Sequence, residues 1–265
     1  MRKLMLLITA MLLAVIPATA AMAQSSEGQV IVVHGVPDLD VDVYVNGELT
    51  LEGFQYGDVA GPLPLPAGSY EVEIYAAGAD PDADDPALSG SADLEAGAAV
   101  TIAAHLQEGG EPTLGVFVEN NATIEAGNAR VTARHLADFG PVDILANDSA
   151  VFSGVTNGQG GDADVPADTY NIKITAAGDP ATSAFEADLD LAEGTNSIAY
   201  AIGSVEGGSF QVVTAALTGL AGAPTGVPTG TAGLAADSAW LGVVLMGLAV
   251  IAFSGGAMAL AKANR

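Results

Sequence analysis

Three groups of side chains in this 265-residue chain are of types that do chemistry. His34 and His135 end two similar apolar runs, VIVVH and VTARH, 101 residues apart. A histidine works as a general base when a nucleophile lies within hydrogen-bond reach and a carboxylate orients the ring. Asp38 and Asp42 are close to His34 in sequence, but no serine stands in a Gly-x-Ser-x-Gly turn. Recurrence at equivalent places instead favours a structural task for both histidines, tying the following loop to a sheet. Asp80, Asp82, Asp84 and Asp85 form the second group. Carboxylates at alternate positions can converge on Ca²⁺, which takes six to eight oxygens in tolerant geometry. The run lacks the glycine turn and the bidentate glutamate of a helix–loop–helix calcium loop, since Asp85-Pro86 and Ser91 stand in those places. A solvated acidic loop is the competing reading. The third group is aromatic: Tyr44, Phe54, Tyr56 and Tyr75, interleaved with acidic residues. Such a surface can stack sugar rings and hydrogen-bond their hydroxyls, and core packing is its alternative.

The elements that must carry these residues show in the hydropathy pattern. Val41, Val43 and Val45 alternate with Asp42 and Tyr44, the period-two pattern of a half-buried strand. Asn46-Gly47 then supplies the positive φ values of a type I′ hairpin turn. Pro66-Ala67-Gly68 leads into a second alternating run, Tyr70, Val72, Ile74 and Ala76. The whole stretch recurs. His34, Asp42, Val43, Asn46 and Gly57 reappear as His135, Asp143, Ile144, Asn147 and Gly158, and Pro66, Tyr70, Ile74 and Gly78 as Pro166, Tyr170, Ile174 and Gly178. Tyr70 and Tyr170, each placed after a Pro-Ala turn, fit corner tyrosines bonded to backbone. Tyr44, Phe54, Tyr56 and Tyr75 have no aromatic counterpart in the second copy. Short strands at close spacing with Gly and Pro between them predict an all-β chain of two tandem immunoglobulin-like antiparallel β-sandwich domains, 29–119 and 129–217, each with one wet sheet face. Asn120–Asn128 reads as a short connector that limits their relative freedom.

The segments Val33-His34-Gly35-Val36-Pro37-Asp38 and Val41-Asp42-Val43-Tyr44-Val45-Asn46-Gly47 resemble the opening signature of the bacterial family known as domain of unknown function 4397. Tyr56-Gly57-Asp58-Val59 and Leu65-Pro66-Ala67-Gly68-Ser69-Tyr70 resemble its second block. The second copy departs from the pattern: Arg134–Phe139 lacks the Pro-Asp pair, and Asp148 replaces the hairpin glycine. The resemblance implies a secreted or surface-attached β-sandwich module and brings no catalytic residues with it.

The ends of the chain have their own signatures. Met1–Ala23 has a basic start at Arg2-Lys3, an apolar run and an Ala21-Met22-Ala23 exit, a signal peptide with cleavage between Ala23 and Gln24. Residues 218–238 turn to Thr, Gly, Pro and Ala and read as a linker. Ala239–Ala261 is 23 residues without charge, roughly 34 Å as a helix, enough for one transmembrane helix. Lys262 and Arg265 in the last four residues place a cytoplasmic tail at 262–265. Val227-Pro228-Thr229-Gly230 also suggests a wall-sorting motif, without its leading leucine.

Between signal and span, three basic residues (Arg130, Arg134 and Lys173) face 32 acidic ones, a formal charge of −29. That field repels nucleic acid and anionic headgroups. The absence of cysteine removes thiol catalysis, thiolate metal sites and disulfides together. The expectation is a non-enzymatic, single-pass cell-membrane protein without a cofactor, its modules outside for adhesion or envelope structure. A carbohydrate- or Ca²⁺-binding module with an envelope glycan or surface-protein partner is the second reading, and a hydrolase the third.

Overall fold

In the computed structural model, residues 26–222 are described. The signal segment with Ala23 and Gln24, most of the linker, the apolar run 239–261 and the tail lie outside the described residues. Among the described residues no helix is long and apolar enough to cross a membrane; every regular element there is a strand.

The first half contributes β1 (Glu27–His34), β2 (Val41–Val45), β3 (Glu48–Phe54), β4 (Val59–Pro66), β5 (Gly68–Ala76), β6 (Leu88–Leu94), β7 (Ala99–Leu106) and β8 (Pro112–Glu119). The second contributes β9 (Asn128–His135), β10 (Val142–Ala146), β11 (Ser149–Val155), β12 (Gln159–Pro166), β13 (Thr169–Ala176), β14 (Asp179–Asp190), β15 (Asn196–Ile202) and β16 (Gln211–Leu217). They form four four-stranded sheets, β4-β1-β7-β8 and β3-β2-β5-β6 in the first half, β12-β9-β15-β16 and β11-β10-β13-β14 in the second. The two sheets of each half face one another like a sandwich. The predicted all-antiparallel pairing needs correction: β1 runs parallel to β7, and β9 parallel to β15. Parallel neighbours require a long crossover, which is why short-range turn signals do not reveal them.

Val30, Val41, Val43, Val72, Ile74, Leu94, Val100 and Ile102 fill the space between the sheets of the first sandwich. In the second, the interior divides into a cluster around Val142, Ile144 and Ile174 and another around Ala129, Val131 and Leu191. A third apolar layer lies between the two sandwiches. Ile31, Val33, Ala99 and Ala103 from the outer face of the first meet Leu136, Ile198, Tyr200, Ile202 and Leu217 from the second, all almost fully buried. The expectation of one wet face per sheet therefore fails for β1, β7, β9 and β15. Every residue of β7, AVTIAAHL, is buried, as happens when a strand is covered on both faces.

The connector is pinned into this stack. Arg130 donates to Asn120 O, Asn120 Oδ1 and Ala122 O at 2.9–3.2 Å and pairs with Asp164 at 2.6 Å. Asn196 Nδ2 donates to Asn120 O at 3.0 Å. Ile124, fully buried, bridges to Ala221, with Ile124 N donating to Leu220 O at 2.8 Å. The linker expected from Thr218 thus begins, through Gly222, as a segment folded back on the connector, because Leu220 packs into the shared apolar layer.

Candidate functional site

Two places could serve a function: the loop end of each sandwich, where the duplicated polar residues lie, and the face the sandwiches share. At the loop end, His34 Nε2 donates to Leu39 O at 2.6 Å and His135 Nε2 to Phe139 O and Gly140 O at 3.1 Å. A carbonyl only accepts, so Nε2 carries a proton in each ring. The Nδ1 atoms are buried and have no hydrogen-bond partner among the described residues. Burial lowers both histidine pKa values against the pull of the carbonyls. His34 also stacks on Phe54, ring centroids 6.2 Å apart. Each ring holds the loop between the first two strands of its sandwich through these carbonyls.

The wet-face assignment of Asp42 is corrected. It is 6% exposed, and its two oxygens accept Gly53 N at 2.7 Å and Gly78 N at 2.8 Å. Asp143 accepts Gly154 N and Gly178 N at 2.8 and 2.9 Å, and these two bonds pull its pKa down. All four donors are glycines with φ between 60° and 79°, a conformation that disfavours other residues. The offset Asp42/Asp143 and glycines 25 and 24 residues apart were the sequence signal for this tie. Asn46 and Gly47 adopt the turn at φ 51° and 76°, and Asn147 and Asp148 follow at 49° and 61°. The Asn46 and Asn147 side chains accept Glu71 N and Asn171 N. Tyr70 and Tyr170 donate to Pro66 O and Pro166 O at 2.6 and 2.9 Å.

The aromatic platform is not assembled as one surface. Phe54 belongs to the first core. Tyr56 points to the other sandwich, where its hydroxyl donates to Ser209 O. Only Tyr44 and Tyr75 meet, edge to face at 5.3 Å on the outer sheet. Burial, with Glu73, Tyr44 and Asp85 alongside, pushes the Tyr75 phenol up. At the places of Tyr44 and Tyr75 the second sandwich has Leu145 and Thr175. The acidic loop is turned onto itself: Asp80 Oδ1 accepts Asp82 N at 3.1 Å and Asp84 Oδ2 accepts Asp80 N at 3.0 Å. No group of three or more His, Asp or Glu side chains among the described residues is placed to hold a metal ion.

The shared face carries the polar network that the sequence reading did not find. Glu119, with a side chain wholly withdrawn from solvent, accepts Arg134 Nη2 and Nε at 2.8 and 3.2 Å and Thr101 Oγ1 at 2.8 Å. Thr101 Oγ1 also lies 2.7 Å from the Tyr200 hydroxyl. Burial and the Glu119 charge raise the Tyr200 pKa, so the phenol stays protonated and can donate. Arg134 further donates to Val118 O at 2.8 Å and lies over the Phe117 ring, 5.3 Å from its centroid. At one margin of this face a cleft of about 520 Å³ opens between the β7–β8 hairpin and Thr156–Gly158, lined by His105, Gln107, Glu108 and Phe117. Asn157 closes its floor, donating to Leu106 O and Ala137 O at 2.8 and 2.7 Å.

These features define, over the described residues, an all-β fold of paired four-stranded sheets, in which the buried polar groups hold loops, connector and modules together. Residues 28–144 match the family model "Domain of unknown function (DUF4397)", a match that covers the first sandwich and ends at Ile144 in β10. No curated protein matches the chain. Among solved structures, the Bacillus anthracis TIE protein is similar at 13% identity and a TM-score of 0.21, over 67% of this chain and 33% of that one. The chain thus spans about a third of that protein's length, and the likeness supports no statement about this one.

Proposed function

We propose that the chain is a non-enzymatic cell-surface protein that holds a rigid pair of immunoglobulin-like modules outside the membrane, for adhesion or envelope structure. In this reading residues 1–23 are removed on export, 239–261 span the membrane once and 262–265 remain in the cytoplasm. The observation that supports it best is the shared layer of Ile31, Val33, Ile198, Tyr200 and Ile202, reinforced by a connector whose Asn120 and Ala122 carbonyls are bonded to the second sandwich. Two modules joined in this way resist bending between them, the property a display stalk needs. The corner tyrosine in each module supports the immunoglobulin-like reading. The test is protease applied to intact cells, with intact-mass measurement of the released and retained pieces. The expected result is release of both modules with Gln24 at the new N-terminus and retention of the apolar tail. Modules left untouched while a tail is cut would overturn the orientation, and a mature chain ending at Thr229 would replace the span with wall attachment.

A second reading rests on the Tyr44–Tyr75 pair. Tyr75 is itself 4% exposed, so the ring offered to a sugar is that of the half-buried Tyr44, with Glu73 opposite it on the neighbouring strand. Saturable binding to wall glycans that disappears in Tyr44→Ala would favour it over display alone.

A further inference from the structure

The two sandwiches meet through the same face of the same sheet. Strand registers make Ile31, Val33, Ala99, Thr101, Ala103 and Glu119 of the first equivalent to Thr132, Arg134, Asn196, Ile198, Tyr200 and Leu217 of the second. The contact is also reciprocal. Tyr56 reaches Ser209 in the β15–β16 hairpin, and Asn157, 101 positions later, reaches Leu106 at the β7–β8 hairpin. This is the geometry of a two-fold interface, except that its two halves differ.

The differences are complementary. Glu119 meets Arg134, and Thr101 meets Tyr200. Were the first sandwich to dock on another first sandwich in this geometry, Glu119 would face Val33 and Thr101 would face Ala103. Were the second to dock on another second, Arg134 would face Leu217 and Tyr200 would face Ile198. Either pairing buries a charge with no opposite charge to meet it, the costliest fault in an interface. The only other cations among the described residues are Arg130, engaged by the connector and Asp164, and Lys173 on the outer sheet beside Asp148 and Glu186.

We propose that Glu119 and Arg134 form a pairing code, by which each module accepts the complementary module of this chain and rejects a second copy of itself. Where many copies stand side by side, as in the display reading on which this use of the code rests, it excludes the pairing of like modules from neighbouring chains.

The test removes the tether after folding. A protease site inserted between Glu125 and Ala126, both exposed, is cut in the folded full chain, and native mass spectrometry follows the halves. Halves of the parent should remain one-to-one pairs of unlike modules. Glu119→Leu with Arg134→Val gives both modules the same residues at these positions; once cut, its halves should scramble into like pairs. Arg134→Val alone strands Glu119, and the folded-to-unfolded ratio of the uncut chain should fall about 100-fold or more. Cut parent halves that scramble, or apolar double-mutant halves that stay unlike, would overturn the proposal. Should the apolar double fail to fold, Glu119→Arg with Arg134→Glu preserves the code in reverse. It must fold and keep unlike pairing, and failure of either overturns the code.

Discussion

Asp42 and Asp143 each hold two glycine amides, His34 and His135 each hold the following loop, and Tyr70 and Tyr170 each reach the carbonyl four residues back. The faces the two sandwiches turn to one another match at almost no position, with Val33 against Arg134, Ala103 against Tyr200 and Glu119 against Leu217. The contrast follows from who needs what. A loop tie closes within one module, so each copy requires it. An interface needs one acid and one base between two partners, so the copies can divide the parts.

The largest expected effect breaks the shared face. Tyr200→Ala removes a fully buried ring and leaves Thr101 without its hydroxyl contact, and should cost about 3–5 kcal/mol in urea unfolding. If the modules form one cooperative unit, both lose stability together; a second transition unchanged from the parent would separate them.

Acid acts next, through the histidines. Burial depresses the folded pKa values of His34, His105 and His135 below 6.5. Their contribution is therefore complete above the unfolded pKa and is lost as pH falls from there through the folded values, where the unfolded chain binds more protons. The slope reaches up to about 1.4 kcal/mol per pH unit for each histidine. Urea midpoints between about pH 7.5 and about pH 5.5 should fall, and His34→Gln or His135→Gln should flatten the profile by similar amounts if the two ties are equivalent.

The carboxylate ties sharpen the comparison further. Asp42→Ala leaves two amides unsatisfied in a buried place and should cost about 2–3 kcal/mol by denaturant midpoint. Asp143→Ala, at a more exposed site, should cost less. Since its folded pKa is lowered, the Asp143 contribution is present above the unfolded carboxylate pKa and disappears as pH falls through the folded one. The smallest effect is at the hairpins. Asp148 holds φ 61° where the first copy has Gly47, so Asp148→Gly should gain less than about 1 kcal/mol, against loss of a surface contact to Lys173. A loss on this substitution would show the contact to be the stronger term.

The strands and hairpins were legible because their causes are local: Asn46-Gly47 sets a turn, and period-two alternation sets a face. The shared face was not. Val100, Ile102 and Ala104 of β7 face the first core, and nothing in the local pattern marks the residues between them, Thr101 and Ala103, as buried too. The parallel β1–β7 pairing joins residues 70 positions apart, beyond any short-range rule. Asp42 looked like a wet-face residue because alternation says nothing about two glycine amides folding over it. The aromatic set looked like one platform because sequence proximity cannot tell that Phe54 and Tyr56 leave in different directions.

The burial of two arginines has a consequence beyond the fold. With Arg130 and Arg134 withdrawn to side-chain exposures of 5% and 15%, Lys173 is the only remaining cation among the described residues, in a chain with 32 acidic ones. Copies must then repel one another over about 10 Å at 0.1 M salt and about 3 Å at 1 M. How closely two copies approach becomes a quantity that ionic strength sets.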